Sequence, residues 1–353
     1  MAWMEERRRL TSLSHGAGCG CKLGPDQLSS VLSSLAMPAL ADDVLVGTDT
    51  GDDAAVVRLA DGNALIATLD FFTPIVDDPY DWGRIAAANA LSDVYAMGGR
   101  PFLALNIVSW PVDDLPLDML GQVLQGGIDV ATKAGAAVAG GHSITDPEPK
   151  FGMVALGLAD GARIVRNSTL VPGAELYLTK PLGLGVISTA IKRGVATDEQ
   201  VREAVETMTT LNDAASEAML EAGAVAATDV TGFGLLGHLH RTALASGCSA
   251  VVDAAAVRLL PGALDLARSD VVPGGTKRNL AHVRPHTEFG DLTEPERTVL
   301  ADAQTSGGLL IATGNSRGLE RALSDRGIRF ARIGVGVGGP AGAIRIEGRL
   351  PSA

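Results

Sequence analysis

GDDAAVVRLADGNALIATLD, residues 51–70, predicts a β-hairpin at the start of the first domain. Ala54–Leu59 and Ala64–Leu69 are rich in β-branched and apolar residues, as strands are. Asp61-Gly62 between them is typical of a two-residue type I′ turn. The chain therefore begins its first domain with two antiparallel strands that pair directly.

Two aspartates lie at the open end of this hairpin. In the predicted register Asp53 is opposite Asp70. Like charges that face each other on a sheet are unfavourable unless a cation lies between them. The residues therefore predict either a cation site between these carboxylates or a pair of solvated strand ends, and they leave both open.

A helix with polar residues beside its apolar flank follows. Asp81 is the expected N-cap, the helix is expected over residues 82–97, and Gly98-Gly99 ends it. Asn89 and Asp93 are four residues apart and so share one face. Because buried polar groups are costly unless they have partners, we expect this face to line a site.

The rest of the chain alternates strands and helices, which predicts an α/β fold. Gly140-Gly141-His142-Ser143 is expected to be a loop whose backbone N–H groups face an anion. The segment Asp302–Gly308 is expected to be a loop before a core strand. For Gln304–Gly308 the alternatives are simple turn chemistry and a structural role near the site. Strands are expected over 102–108, near 137, and over 153–158, 175–179 and 309–312, and helices over 117–134, 183–193 and 199–221.

Length and composition fit two domains of ordinary size. The chain has 353 residues, of which 46% are apolar and 20% charged, and this composition excludes disorder. Val171-Pro172-Gly173 is the expected boundary. We therefore expect a lead-in over residues 1–50, a first domain over 51–168 and a second domain over 174–353.

The net charge and the cysteine content indicate which partners and which cellular compartment to expect. The net charge of -12 argues against nucleic acid as a partner, because phosphate backbones are bound chiefly by clustered Lys and Arg. Cys19, Cys21 and Cys248 cannot form a complete disulfide set, which indicates a reducing compartment. No signal peptide and no apolar run of roughly 18 residues is visible, so we expect a cytoplasmic protein without a membrane partner.

A glycine-rich segment, SHGAGCGCK at Ser14–Lys22, carries two of the three cysteines. A thiol acts as a nucleophile only as the thiolate, which a nearby cation favours, and Lys22 and His15 are the available cations. The segment is therefore expected to be a mobile, reactive arm. A flexible tail with incidental cysteines and a structural zinc site are the alternatives.

The segment Gly232–Gly237 matches the dinucleotide-binding pattern GxGxxG, with Asp253 about 20 residues further on. This pattern is common by chance in glycine-rich chains. The preceding Asp229 is also unfavourable beside a pyrophosphate unless it binds a metal ion. We therefore do not expect a dinucleotide site here.

Motifs along almost the whole chain resemble those of the selenophosphate synthetase (selenide, water dikinase) family. The middle motifs are shared with a wider superfamily that includes aminoimidazole ribonucleotide synthetase and thiamine-monophosphate kinase, whereas the Cys-Gly-Cys-Lys arm is specific to this family. The matching segments are SHGAGCGCK (14–22), GDDAAV (51–56), TLDFFTPIVDDPYDWGRIAAANALSDVYAMGG (68–99), AGGHSI (139–144), LTKPLG (178–183), DVTGFGLLGH (229–238) and ADAQTSGGLL (301–310).

The resemblance implies a two-domain α/β fold like that of aminoimidazole ribonucleotide synthetase. It implies a homodimer paired through the N-terminal sheets and a mixed C-terminal sheet with helices. It also implies that ATP, hydrogen selenide and water give selenophosphate, orthophosphate and AMP, with several Mg²⁺ ions and K⁺ as expected ions. A protein that delivers selenium is a further expected partner.

The resemblance also assigns roles to individual positions. Cys19 and Lys22 match the catalytic pair, and Lys22 also contacts ATP. The magnesium ligands are matched by Asp53, Asp93 and Asp229. The ATP-binding positions are matched by Thr50, Gly51, Asp52, Asp70, Asp93 and the loop residues Gly141, His142 and Ser143, the loop being contributed by a second copy of the chain.

Two other functions remain as alternatives. A related ATP-using phosphotransferase or ligase, such as a thiamine-monophosphate kinase, would share the aspartates but release ADP and ignore selenide. A selenium or metal carrier would use Cys19 and Cys21 without consuming ATP.

Overall fold

The structure is a computed structural model that describes residues 9–16, 31, 35, 40–48 and 51–351. Its first half is a six-stranded sheet with the order β1-β2-β3-β6-β4-β5, in which only β4 and β5 are parallel. The strands are β1 (Val44–Val46), β2 (Ala55–Arg58), β3 (Asn63–Phe72), β4 (Arg100–Trp110), β5 (Ala137–Thr145) and β6 (Lys150–Asp160).

Two helices, α1 (Pro79–Ala96) and α2 (Leu117–Lys133), pack on this sheet. They approach each other through glycines, since a Cβ on Gly83 would lie 1.9 Å from the Val123 carbonyl oxygen and one on Gly126 would lie 2.1 Å from the Tyr80 carbonyl oxygen. Because real side chains cannot approach a backbone oxygen so closely, the two helices depend on glycine at both positions.

The other face of the sheet is apolar and exposed. Ile66 on β3 is fully buried toward the helices, whereas Leu69 and Phe71, which alternate to the opposite face, are 55% and 45% exposed. Leu158 on β6 shares that face by its pairing register and is 41% exposed.

The second half is a seven-stranded mixed sheet with the order β10-β13-β9-β12-β7-β11-β8. Its strands are β7 (Glu175–Leu178), β8 (Ala226–Asp229), β9 (Ser249–Asp253), β10 (Thr287–Glu288), β11 (Leu309–Thr313), β12 (Ala331–Val337) and β13 (Ile344–Glu347). Its helices are α3 (Leu184–Arg193), α4 (Asp198–Thr209), α5 (Asp213–Ala222), α6 (Gly234–Ala245), α7 (Ala263–Arg268), α8 (Gly274–Val283), α9 (Glu294–Leu300) and α10 (Ser316–Asp325).

Helix α1 joins the two halves into one core. Its apolar side chains belong to the same buried cluster as Leu184 of α3 and Met208 of α4. Polar contacts cross at the same place: Asn89 Oδ1 accepts the Ser306 N–H at 2.7 Å, and Asn212 Nδ2 donates to Ser92 Oγ at 2.9 Å. The polar face predicted for α1 therefore contacts the second half.

The predicted hairpin forms, but the turn and the pairing register that we predicted for it are wrong by one residue. Ala55 pairs with Ala67 and Arg58 with Ala64. The Leu59 N–H bonds to the Asn63 carbonyl and the Gly62 N–H to the Leu59 carbonyl, which leaves a three-residue connection instead of a two-residue type I′ turn. Gly62 has a φ of 88°, as the last residue of such a loop requires. Asp53 is consequently not opposite Asp70.

Three other local predictions are also corrected. The N-cap of α1 is Asp78, whose side chain accepts the Asp81 N–H, because Pro79 already begins the helix. Residues 199–221 form two helices, and Asn212 between them bonds to Ser92 and Gly307, which are distant along the chain. The expected loop at Gly140–Ser143 is part of strand β5, which pairs with β4 and is exposed at these four residues.

None of the helices that the structure describes is long and apolar enough to span a membrane.

Candidate active site

A small cavity of about 160 Å³ lies where the two sheets meet, and it is lined mostly by polar side chains. Asp53, Asp93 and Asp229 face it, and each offers a carboxylate oxygen within 4.8 Å of the other two. We call these residues the carboxylate triad. They come from three elements: the turn before β2, helix α1 and the end of β8. Among the described residues this is the one group of three or more metal-type ligands so close together.

Asp53 has a strongly perturbed environment. Its Oδ1 accepts a hydrogen bond from Thr228 Oγ1 at 2.7 Å, whereas its Oδ2 is buried and has no hydrogen-bond partner in the described part of the chain. Burial raises the pKa of Asp53 well above its usual range, and the nearby charges of Asp229 and Asp52 raise it further. A buried carboxylate oxygen of this kind is suited to bind a cation.

The helix α1 and strand β3 position the other acidic groups. Thr68 Oγ1 donates to Asp93 Oδ2 at 2.5 Å, and Asn89 Nδ2 donates to Asp70 Oδ2 at 2.8 Å. Asp70 lines the same cavity as the carboxylate triad. Thus Asp70 shares the site with Asp53, although the two do not pair across the hairpin.

The segment before the triad is held by the connection between the two halves. The Asn167 N–H bonds to Asp52 Oδ1 at 2.9 Å, and Asn167 Nδ2 donates to the Gly51 carbonyl at 3.2 Å. Gly51 has a φ of 57°, and a Cβ there would lie 1.1 Å from Arg241 Nη2. Arg241 therefore brings a positive charge against the cavity beside Gly51 and Asp52.

Sequence reasoning missed His238, which also lines the cavity. Its Nε2 accepts the Thr231 N–H at 3.1 Å, which leaves the proton on Nδ1, 3.4 Å from Thr228 Oγ1. Thr228 in turn donates to Asp53, so this imidazole supports the carboxylate triad through a hydroxyl group. The predicted motif DVTGFGLLGH contains His238, but only the packing of helix α6 reveals the contact.

Lys180 was also not predicted to carry chemistry. Its Nζ is buried and donates to the carbonyl oxygens of Thr210 and Ser306 at 2.6 and 2.8 Å. Burial lowers the pKa of Lys180 to about 7, while the charge of Asp229 opposes that shift. A lysine so placed contributes a proton-dependent charge near the triad.

Asp302 is the first residue of the loop predicted over Asp302–Gly308, and its carboxylate has several hydrogen-bond partners. Its Oδ2 accepts the N–H groups of Gly185 and Val186 at 3.0 and 3.2 Å, and its Oδ1 accepts from Thr276 Oγ1 at 2.7 Å. The carboxylate thus caps the N-terminus of helix α3. Its role is structural.

The other predicted site residues lie elsewhere. Gly141, His142 and Ser143 are on the exposed strand β5 and are not among the residues that line the cavity. Cys19, Lys22 and Thr50 lie outside the described residues. The residues just before the cysteines are described: Ser14 Oγ donates to Thr73 Oγ1 at 2.6 Å, and Lys192 Nζ donates to the Gly16 carbonyl at 3.2 Å.

The topology argues against a dinucleotide site at Gly232–Gly237. Strand β8 is antiparallel to its neighbour β11, and the next strand, β9, lies four positions away in the sheet order. A dinucleotide-binding fold instead places the two strands in parallel around the helix. Asp229, at the end of β8, belongs to the carboxylate triad.

The donor set fits magnesium. Three carboxylates offer hard oxygen atoms, and the buried Oδ2 of Asp53, which has no hydrogen-bond partner among the described residues, favours a cation beside it. Mg²⁺ binds in proteins through one or two carboxylates together with water and substrate phosphates. The triad therefore suits this ion better than a soft metal, which prefers sulfur or nitrogen.

Two family models match the chain. AIR synthase related protein, N-terminal domain, matches residues 51–159, and AIR synthase related protein, C-terminal domain, matches residues 171–347. These matches confirm the predicted two-domain α/β fold.

Solved structures show the same fold. Thiamine-monophosphate kinase from Stenotrophomonas maltophilia K279a has a TM-score of 0.65 at 22% identity, with 92% of this chain and 96% of that chain covered. A hydrogenase maturation protein HypE in complex with ATP has a TM-score of 0.61 at 17% identity, with 96% and 94% covered. At these identities the likeness concerns the fold alone.

Curated relatives are much more similar in sequence. A selenide, water dikinase of Carboxydothermus hydrogenoformans is 47% identical over 334 residues, which is 94% of this chain and 96% of the relative. A selenide, water dikinase of Myxococcus xanthus is 49% identical over 332 residues, or 93% and 94%. With the motif resemblance and the AIR synthase related domains, these matches establish that the chain belongs to the selenide, water dikinase family.

Proposed function

We propose that this chain makes selenophosphate from ATP, hydrogen selenide and water, with AMP and orthophosphate as the other products. Family membership supports the reaction, and the convergence of Asp53, Asp93 and Asp229 within 4.8 Å of one another is the observation that carries it. Three acidic groups from distant segments meet in a cavity only at a free-energy cost, which a bound cation removes.

Asp53, Asp93 and Asp229 would hold magnesium ions, which would neutralise charge on the phosphates of ATP. They are needed because ATP carries about four negative charges and an acidic cavity repels it unless cations intervene. Thr68 and Thr228 fix the orientation of Asp93 and Asp53 by hydrogen bonds. Asp70, oriented by Asn89, is the fourth acidic group of the site.

The side chain of Arg241 supplies the protein's own positive charge at this site. It lies against Gly51 and beside Asp52, the segment expected to contact the nucleotide. An arginine matches phosphate oxygens in a bidentate manner. In this proposal Arg241 orients a phosphate group at the mouth of the cavity.

The described residues that precede the cysteines contact the segment that follows Asp70. Ser14 is bonded to Thr73, and Thr73 is three residues from Asp70, which is about 10 Å of fully extended chain. Cys19 is three residues from Gly16, again about 10 Å at most. We propose that Cys19 handles selenium and that Lys22 adds charge at the phosphates, with phosphoryl transfer to selenium preceding hydrolysis of ADP.

The proposed active site includes residues from a second copy of the chain. The exposed apolar face of the first sheet, with Leu69, Phe71 and Leu158, supports a homodimer through this sheet. Strand β5, which carries Gly141, His142 and Ser143, is its exposed edge. In such a dimer this strand reaches the ATP site of the other copy.

Phosphorus NMR tests the reaction. The protein is incubated with ATP, Mg²⁺, K⁺ and selenide under reducing, oxygen-free conditions. We expect AMP, orthophosphate and a phosphorus signal coupled to selenium. ADP as the final nucleotide product, with no selenium-bonded phosphate, would instead favour a related phosphotransferase, and unchanged ATP would favour a carrier.

Two variants locate the chemistry. Asp229→Asn is expected to abolish magnesium-dependent use of ATP. Cys19→Ser is expected to abolish selenophosphate formation, and Cys248→Ser is its matched control because Cys248 is buried in the second half. Full activity of Cys19→Ser would remove the proposed role of this thiol.

A further inference from the structure

The segment Gln304–Gly308 contacts the site through its backbone. The Ser306 N–H donates to Asn89 Oδ1 at 2.7 Å, and Asn89 Nδ2 donates to Asp70 Oδ2 at 2.8 Å. All three residues are buried. Because Asp70 lines the cavity that contains the carboxylate triad, the segment reaches an acidic group of the site through one amide side chain.

The Ser306 N–H determines which end of the Asn89 amide faces Asp70. An asparagine side chain has a carbonyl oxygen that accepts hydrogen bonds and an amino group that donates them. Because the Ser306 N–H can only donate, it selects the oxygen and turns the amino group toward the Asp70 carboxylate. The reversed amide would place two acceptors against each other.

Ser306 holds this N–H in an unfavourable backbone conformation. Its φ of 50° lies in the left-handed region, which residues other than glycine rarely adopt. Its hydroxyl oxygen is buried and has no hydrogen-bond partner in the described part of the chain. Strained residues persist where their surroundings fix them, and they cluster at functional sites. The contacts around Ser306 must therefore offset a local cost.

Lys180 makes one of these contacts. Its buried Nζ donates to the Ser306 carbonyl at 2.8 Å and to the Thr210 carbonyl at 2.6 Å, so it ties the segment to the end of helix α4. An ammonium group removed from water is unfavourable unless it makes such bonds. Since the Ser306 carbonyl and N–H flank the same Cα, holding the carbonyl also restricts the direction of the N–H.

The two glycines that follow Ser306 fix the other side of the segment. A Cβ on Gly307 would lie 2.0 Å from the Val230 carbonyl oxygen, so only glycine permits this approach. The Gly307 carbonyl accepts from Asn212 Nδ2 at 2.9 Å, and the Gly308 carbonyl accepts the Val230 N–H at 2.9 Å. Simple turn chemistry does not require these contacts, which favours the alternative of a role near the site.

We propose that Lys180 and Ser306 are positioning residues that fix the Asn89 amide and, through it, the orientation of Asp70. The Lys180 ammonium group holds the Ser306 backbone, and the Ser306 N–H holds the amide. Neither residue touches the substrate in this inference. The ligand that Asp70 meets, ATP with Mg²⁺, comes from the proposed function, on which the inference rests to that extent.

A double-mutant cycle tests the series of contacts. Calorimetry on the full chain measures the affinity for a nonhydrolysable ATP analogue with Mg²⁺. Asn89→Ala is expected to weaken binding by about tenfold, and Lys180→Met, of similar length but without a donor, by about twofold or more. The combined variant should bind no more weakly than Asn89→Ala alone. Effects that multiply, or an unchanged affinity in Lys180→Met, would overturn the proposal.

Two control variants calibrate the cycle. Thr228→Val acts on Asp53 instead, so its effect should multiply with that of Asn89→Ala. Lys277→Met removes an exposed ammonium group and should leave the affinity unchanged. Circular dichroism establishes that each variant is folded. Should Lys180→Met fail to fold, Lys180→Gln, which keeps an amide donor, takes its place in the cycle with the same expected order.

Amide hydrogen exchange without nucleotide separates this inference from the proposed function. The Ser306 N–H should be protected in the parent and should lose protection in Asn89→Ala and in Lys180→Met, but not in Lys277→Met. Equal protection in the parent and in the first two variants would overturn the inference, whether or not the protein binds ATP. The expected exchange pattern in a protein that binds no ATP would support the contacts and count against the proposed function alone.

Discussion

Replacing Asp229 by Asn should stabilise the metal-free protein while removing its response to magnesium. Two unit charges 4.8 Å apart, the separation that bounds the triad, repel by about 3 kcal/mol at an effective dielectric constant of ~20. Protonation of Asp53, whose pKa is raised chiefly by burial, relieves part of this repulsion. We therefore expect a gain of about 1–3 kcal/mol for the neutral side chain.

The assay is thermal unfolding at pH 8, first with a chelator and then over a series of Mg²⁺ concentrations. At this pH Lys180, with its pKa lowered to about 7 by burial, is mostly neutral, so its lost attraction to Asp229 contributes little. One kcal/mol corresponds to about 2–4 °C in melting temperature for a chain of roughly 200 residues, and to less for a longer chain.

Magnesium should reverse the order of stability. A ligand at 100 times its dissociation constant stabilises the native state by about 2.7 kcal/mol, so the parent should gain this amount and the variant should not. Asp113→Asn, at an exposed turn after β4, is the matched control and should stay within about 0.5 kcal/mol of the parent in both conditions. The reasoning is refuted if Asp229→Asn melts below the metal-free parent, or if Mg²⁺ still stabilises it to the same extent.

Three more predictions concern stability and metal affinity. Burial raises the pKa of Asp302 to about 6, so the folded state binds more protons than the unfolded state between pH ~4 and ~6. The free energy of unfolding should therefore fall by about 3 kcal/mol as the pH rises through that window. In urea titrations, Asp302→Asn should flatten this pH dependence. Gly126→Ala should lower the free energy of unfolding by about 1–3 kcal/mol, because the added Cβ meets the Tyr80 carbonyl oxygen. Gly121→Ala, on the same helix with open space around it, should raise the free energy of unfolding by about 0.5–1 kcal/mol. Equal effects of the two substitutions would contradict the packing argument. Thr228→Val removes the hydrogen bond to the triad and should weaken Mg²⁺ binding by about tenfold in calorimetry, and an unchanged affinity would show that this hydroxyl does not orient the carboxylate.

The elements of the fold were predictable where the chain carries strong local signals. Helix α1 begins after a capping aspartate, with a proline as its first residue, and ends just before Gly98-Gly99. The predicted bounds of helix α2 agree with the structure within one residue. The predicted hairpin register was wrong because the turn contains one residue more than expected and ends at Gly62. The position of β3 depends on its pairing with β6 as well as with β2. Asn212 interrupts the expected helix over 199–221 because its partners, Ser92 and Gly307, come from distant segments.

The site was predictable to a similar degree. Motifs identified Asp53, Asp93 and Asp229, and the structure brings their carboxylates together. His238 could not be identified in this way, because its contact with Thr228 exists only after helix α6 packs beside β8. The roles of the other predicted residues remain predictions.

The continuous core around helix α1 restricts the motions by which this enzyme can exclude water from the phosphates of bound ATP. Leu184 and Met208 of the second half are packed with α1 of the first, and Ser306 and Asn212 bond to the same helix. A hinge motion between the halves would have to break these contacts, so the packing around α1 opposes such a motion. We therefore expect catalytic turnover to be insensitive to cross-links that tie α1 to α5.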